Sequence, residues 1–394
     1  MNQSTIDIVK ATAPLVAEHA EEITTLFYKT MFINNPEASQ FFNKANQSGQ
    51  QPKALANAII AYALNIDNLG ALGDAVELIA SKHCGLQVLP EHYPIVHDNL
   101  LIAVAEVLKP AVTPEIGAAW SEAVNFLANL LIGDEATRYA AAEARSGGWR
   151  GWKNFTVSEI ETMSTGVKTF KFVPEDGVTA PYEFTPGQYL SIRVDVNKDK
   201  SFSSPRHYTI VSKPGDSFLQ ICTKKLDGGV VSSFMHDTLV AGDVVHLSPP
   251  FGPFTLAPST SVFEGDRKKA VLISAGIGRT PMKAFLDSLV GQGVKTVKTV
   301  HVDKNQAAVP FYDYFESTNA GGNQYYFTEE GRPTTADIAK ALVAEEGADS
   351  TFYMCGPTSF MQGMAHGLVA NGVERGNVKW EAFSPQMSCP VNQA

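Results

Sequence analysis

The sequence predicts a multidomain chain: an all-α domain, then an antiparallel β-barrel, then an α/β domain on a parallel sheet. Three observations carry this. The 394 residues exceed what one ordinary core accommodates. Helical spacing with almost no strand signal fills 1–145, whereas short alternating strands fill 150–264. From 265 to 394, buried apolar runs alternate with helix-like stretches, the βαβ signature.

In the first segment Ile23, Phe27 and Met31 step by four, as do Leu55 and Ile59 after Pro52, a good first-turn residue. Val76, Ile79 and His83 follow three-then-four spacing, and Leu127, Leu131 and Glu135 continue it. Asn34-Asn35-Pro36 and Asn46-Gln47-Ser48-Gly49 break the helices, and Ser146-Gly147-Gly148 is a joint. The barrel strands are expected at 155–160, 167–173, 189–194, 208–212, 218–223 and 244–247. The parallel strands are expected at 270–273, 296–302, 324–327, 351–355 and 378–383.

Composition narrows the function. A hydrophobic content of 44% describes a globular protein with several cores. A net charge of −10 argues against nucleic acid or an anionic membrane as partner. The first ten residues are polar and mixed in charge, so no signal peptide is expected, and no apolar run is expected to span a bilayer. Cys84, Cys222, Cys355 and Cys389 are scattered, without metal-ligand spacing. A monomer in a reducing cytoplasm is the expectation.

Two segments carry chemistry. The run 270–273 leads into Gly276-Ile277-Gly278-Arg279-Thr280-Pro281, a glycine turn entering a helix near Thr280. Glycines admit a phosphate close to the backbone, and free amides at a helix start complement its charge. Alone, such a pair is equally a tight turn. Cys355-Gly356-Pro357 ends a later strand of the same sheet, where ligands of open parallel sheets collect, although Cys355 alone reads as a buried thiol. In the barrel, Pro186-Gly187-Gln188-Tyr189 opens one strand and Arg206-His207-Tyr208-Thr209 another. An arginine can grip a diphosphate, an aromatic can pack on an isoalloxazine, and a hydroxyl can bond a ring nitrogen. Gly228-Gly229-Val230-Val231-Ser232 adds backbone amides leading into a helix.

As an ordered set over 150–385, these motifs resemble the ferredoxin-reductase family, which pairs a flavin barrel with a nicotinamide-binding sheet. The resemblance implies that Tyr189, Arg206, His207, Tyr208, Thr209, Gly229, Val230, Val231 and Ser232 hold FAD. It implies that Gly276 to Pro281 and Cys355 to Pro357 hold NADH or NADPH. Phe383, within Ala382-Phe383-Ser384-Pro385, matches an aromatic that covers the flavin until nicotinamide displaces it; read alone it is strand core. Relatives often carry cysteine and glycine where this chain has Ala382 and Ser384. Asp303, at the end of the second parallel strand, would favour a free 2′-hydroxyl.

A lone histidine on an apolar helical face is usually a satisfied core residue, so His83 gains meaning from its company. Phe41-Phe42-Asn43 follows the Pro36 turn, Tyr28 precedes it, Gln51 and Leu55 follow it, and Tyr93 and Glu135 lie downstream. This pattern resembles the bacterial flavohaemoglobins, a globin fused to the reductase above, over essentially the whole chain. The resemblance implies haem b with His83 as axial ligand and Phe42 packed on the ring. Glu135 and Tyr93 would approach the second imidazole nitrogen, and Tyr28 and Gln51 would face a bound diatomic ligand beside Leu55. Taken singly, Tyr28 is a core aromatic, Glu135 a solvated helix end and Gln51 a helix cap. Lys82 is either a surface residue or a modulator of the haem potential.

The implied activity is nitric oxide dioxygenation, with NO and O2 as substrates and electrons passing from NAD(P)H through FAD to haem. The alternatives are a haem-based oxygen or NO carrier or sensor, and a flavin reductase serving another acceptor. Alkyl hydroperoxide reduction and a lipid in the haem pocket are side properties the resemblance leaves open.

Overall fold

The computed structural model describes residues 1–42, 51–177, 180–197, 202–256 and 270–383. Asn43, 46–49, Ser384 and Pro385 therefore lie outside the described residues. Two compact units divide the chain, the first chiefly Met1–Ala142 and the second beginning at Glu143.

The first unit is helical: α1 (Gln3–Glu18), α2 (Ala20–Asn34), α3 (Gln51–Leu64), α4 (Gly73–Leu86), α5 (Tyr93–Val107) and α6 (Pro114–Ala144). Asn2 starts α1 by accepting the Thr5 amide at 2.8 Å, satisfying one orphan donor of the first turn. The four-residue stepping of α2 does what its spacing predicts: Ile23, Phe27 and Met31 are fully buried. Each such side chain contributes roughly 1.5–3 kcal/mol by leaving water. Asn35 and Pro36 then stop the helix and start a 3-10 turn, Pro36–Phe41. α4 ends where Gln87 takes left-handed φ 61° and its amide bonds back to Cys84 O.

One expectation needs correction. By length and composition α6 is apolar enough to cross a membrane, because its charges are few and spread over 31 residues. Its buried face includes Trp120, Ala123 and Leu131, but also the carboxylate of Glu135, and Trp120 and Ala123 pack in the core of the first unit.

The second unit holds a six-stranded antiparallel sheet: β1 (Lys153–Ser164), β2 (Val167–Pro174), β3 (Tyr189–Arg193), β4 (Arg206–Thr209), β5 (Leu219–Lys224) and β6 (Val244–Leu247). Its order is β4-β3-β6-β1-β2-β5, and an Ile210–Ile221 bridge joins the two edges into a barrel. α7 (Val230–Asp237) caps it, burying Val231, Phe234 and Met235 against Phe170 and Leu219.

A five-stranded parallel sheet follows: β7 (Ala270–Ala275), β8 (Lys298–Asp303), β9 (Asn323–Phe327), β10 (Thr351–Cys355) and β11 (Val378–Glu381). Its helices are α8 (Arg279–Gly291), α9 (Tyr312–Thr318), α10 (Thr335–Glu346) and α11 (Thr358–Ala370). The order β11-β10-β7-β8-β9 means the chain builds outward from β7 on one side, then crosses to β10 on the other. That reversal opens a crevice at the carboxyl ends of β7 and β10, the place where ligands of such sheets bind. Every residue of β7 and β10 is buried, whereas all of β9, an edge strand, is only half-buried. The final strand stops at Glu381, short of the expected Phe383.

Candidate functional site

Three clusters of side chains form around the residues singled out in the sequence. The first is on α4. His83 sits in its last turn, and its Nδ1 lies 2.7 Å from Glu135 Oε1 and 3.1 Å from the Tyr93 hydroxyl. Tyr93 also donates to Glu135 Oε1, at 2.5 Å. Burial and the negative charge of Glu135 push the Tyr93 phenol far above its ordinary range, so it remains a donor. A carboxylate can only accept, and the proton of that contact therefore belongs to His83 Nδ1. The consequence is a fixed tautomer: Nε2 carries a lone pair and could ligate a metal. Glu135 is 2% exposed, which removes the reading of it as a solvated helix end. Lys82 carries interactions of its own and is not a bare surface lysine.

The second cluster lies where α2 and α3 pack. Tyr28 hydrogen-bonds the Gln51 side chain, and burial raises its phenol well above the usual value. Phe42 meets Tyr28 edge-on at 5.5 Å and Phe32 at 5.4 Å. Tyr28, Phe42 and Leu55 are half-buried against the helical core and keep part of their apolar surface available. The residues fit a haem: an imidazole with one nitrogen fixed by an acid, and a half-covered aromatic face beside a phenol donor. His92 and His97 are half-buried; His92 packs on Phe41 at 4.8 Å.

The third cluster spans the barrel and the parallel sheet. The β3–β4 ladder pairs Tyr189 with Thr209, Leu190 with Tyr208, Ser191 with His207 and Ile192 with Arg206. Alternation therefore separates the five expected side chains. Arg206 and Tyr208 share one face, with Leu190 and Ile192; Tyr189, His207 and Thr209 share the other. His207 Nδ1 is 2.6 Å from Ser191 Oγ, and its ring is 4.6 Å from Tyr189. The Thr209 hydroxyl is buried and has no partner among the described residues, an orphan that a flavin would satisfy. Burial lowers the Arg206 guanidinium below its ordinary value. Gly229 caps α7 where a Cβ would lie 2.5 Å from Ser232 Oγ, and that oxygen accepts the Leu226 amide at 3.2 Å. Val231 is core, so only its backbone is available to a ligand, whereas Val230 is about half exposed.

The two loops of the parallel sheet meet. A Cβ on Gly278 would fall 2.2 Å from Cys355 O and 2.8 Å from the Gly356 amide, so the two motifs touch through backbone alone. Gly276 turns with φ 53°, and a Cβ there would meet Lys224 Nζ at 3.9 Å and nothing closer. This open, bare backbone under an ammonium suits a pyrophosphate. Thr280 Oγ1 ties the turn by donating to Ile277 O at 3.0 Å, and Pro281 is buried. Arg279 is buried, stacked on Phe315 at 3.7 Å and donating to the Tyr325 hydroxyl at 3.0 Å. Cys355 is fully buried; burial and Glu381 raise its thiol, as expected of an inert packing residue. Phe383 is 51% exposed and so not strand core, while Ala382 packs on the sheet. Lys224 was missed by sequence reasoning, although the Lys224-Lys225 pair ahead of Gly228-Gly229 was a visible signal.

Residues 25–131 match the globin family model, and 154–256 match the oxidoreductase FAD-binding domain model. The chain is 37% identical to the flavohemoprotein of Bacillus subtilis, covering 98% of each chain. It is 38% identical to that of Pseudomonas putida, over 96% of this chain and 97% of that one. A crystal structure of the flavohemoglobin of Malassezia yamatoensis with bound FAD and heme superposes with TM-score 0.84. It is 26% identical, and the match covers 97% of this chain and 99% of that one.

Proposed function

The chain belongs to the flavohemoprotein family, and on that premise we propose that it is an NAD(P)H-dependent nitric oxide dioxygenase, converting NO and O2 to nitrate. It is an oxidoreductase whose cofactors are haem and FAD. Bound, the haem supplies the oxygen chemistry and the flavin splits an electron pair into single electrons. The rest falls to the chain. The domains run 1–145 for haem, 150–264 for FAD and 265–394 for the nicotinamide dinucleotide, in a cytoplasmic monomer.

The observation that carries this reading is the 2.7 Å contact between half-buried His83 and buried Glu135. An imidazole whose Nδ1 proton is shared with a carboxylate gains anionic character, and its Nε2 becomes a stronger donor. That suits oxygen activation better than storage. Exchanging Glu135→Gln is expected to lower turnover about 10–100-fold, the usual cost of a lost supporting partner. Flavin reduction by NADH is expected to stay unchanged, and the iron–histidine stretch to shift in resonance Raman. An unmoved stretch removes the argument.

On the other side, Tyr28 holds a phenol proton toward a bound diatomic ligand, and Gln51 orients it. Tyr28→Phe is expected to slow nitrate formation about 100-fold, the weight of one preorganised donor. In the parent protein, NO supplied with O2 and NADH is expected to appear mole for mole as nitrate. Retention of NO without nitrate makes the chain a carrier or sensor instead.

Asp303 supports NADH as the donor. Burial pushes its carboxyl up, but the His301 hydrogen bond, the Lys304 amide and the charge of Lys224 together leave it below its ordinary value. An ionised acid at the end of β8 accepts from a ribose diol and repels a 2′-phosphate.

A further inference from the structure

The seam between the barrel and the parallel sheet is mostly non-directional. Phe254 meets Phe285 at 5.1 Å, and Gly187 lies so close to Phe285 that a Cβ there would be 2.5 Å from its ring. Such apolar contacts resist separation but set register loosely. Polar contacts cross the seam as well: Ser164 Oγ donates to Ala308 O at 3.1 Å, and another contact lies nearer the glycine turn. Lys283, in the second turn of α8, donates from Nζ to the carbonyl of Val211 at 2.6 Å and pairs with Asp287 at 2.8 Å. Tyr314, on α9, donates in turn to Asp287. The Lys283 side chain is 12% exposed and that of Asp287 6%.

A buried ion pair is a poor source of stability, since well-packed apolar residues of similar volume usually do as well or better. What it provides is direction. The placement of both ends gives that direction a use. Val211 lies two residues beyond Thr209 on the flavin strand, and Lys283 five residues beyond Gly278 on the helix that starts at the glycine turn. Just past the end of that strand and its Ile210–Ile221 bridge, the Val211 amide bonds Gln220 O at 2.8 Å. The Lys283 ammonium thus connects the two cofactor cradles within about one turn of each.

We propose that Lys283 is a positioning residue that fixes the nicotinamide turn against the flavin strand, at the separation hydride transfer requires. This rests on the reading of those two cradles given above. In the step concerned, hydride carries two electrons from NADH, which becomes NAD+, to FAD, which becomes FADH−. Its rate is steep in distance, a 1 Å displacement costing up to about 100-fold.

The test is stopped-flow flavin reduction by NADH under anaerobic conditions, in the full-length holoprotein. Lys283→Met keeps length and packing while removing the donor. The limiting rate constant is expected to fall about ten-fold with the NADH Kd nearly unchanged, and the isotope effect with 4-deuterated NADH to become fully expressed. Lys283→Arg, which retains a cation and donors, is expected to recover most of the rate. Unchanged reduction in a folded, FAD-loaded Lys283→Met overturns the proposal. Should that variant not fold, Tyr314→Phe removes only the hydroxyl bracing Asp287: slowed reduction supports the proposal, and a parent-like rate overturns it. Failure of the cradle reading itself is distinct, because the parent protein would then not reduce its flavin with NADH at all.

Discussion

Replacing His83 by alanine is expected to remove haem from the protein and with it all nitrate formation, while FAD binding survives. Glu135 and Tyr93 hold Nδ1, so Nε2 is the only strong σ-donor that α4 offers. Nothing on the same helix replaces it: Cys84 is fully buried, and burial pushes its thiol up to about 12, too high to supply a thiolate. The variant also leaves Glu135 buried with Tyr93 as its remaining donor, which costs about 1–3 kcal/mol of stability in the first unit. The check is the Soret absorbance per FAD in purified protein, with added imidazole as rescue. Full haem content in His83→Ala would assign the axial bond elsewhere.

The second large effect lies in the crevice of the parallel sheet. Gly278→Ala places a methyl 2.2 Å from Cys355 O and 2.5 Å from its carbonyl carbon, closer than any real Cβ contact. The obstacle is backbone at the end of a fully buried strand paired in register with β7, so no side chain can swing aside. The glycine turn must lift away, and reduction of FAD by NADH is expected to fall about 100-fold or more. Folding stability is expected to drop by about 1–3 kcal/mol, as overpacking generally does. Gly276→Ala makes an instructive contrast. Its φ of 53° costs roughly 1–2 kcal/mol in strain, but the space above it is open, so a smaller kinetic defect is expected. Equal defects in the two variants would show that conformation rather than close approach governs the turn.

Much of this was legible in the residue order. The 3.6-residue spacing of Ile23, Phe27 and Met31 and the apolar run before Gly276 each translate directly into burial, because each is a local periodicity. The meeting of His83, Tyr93 and Glu135 was legible only through resemblance, since no spacing rule brings three different helices together. The β4 strand was displaced by two residues, found at Arg206–Thr209 rather than 208–212. Its ladder ends where Ile210 turns to bridge Ile221 and close the barrel, and closure is a long-range property. The same limit hid the split of Arg206 and Tyr208 from Tyr189, His207 and Thr209, because register decides which face a side chain joins. Lys224 and Lys283 escaped for a related reason. Each acts on a loop far away in sequence, and a lysine at a strand end or on a helix carries no mark of the carbonyl or turn it will meet.

An internal electron relay has a direct spectral consequence. Purified full-length protein, made anaerobic and given NADH, should first lose its flavin absorbance. Its Soret band should then move to the ferrous position without any added mediator. A flavin that bleaches beside a haem that stays ferric would contradict the account, leaving a reductase and a globin joined in one chain but not connected.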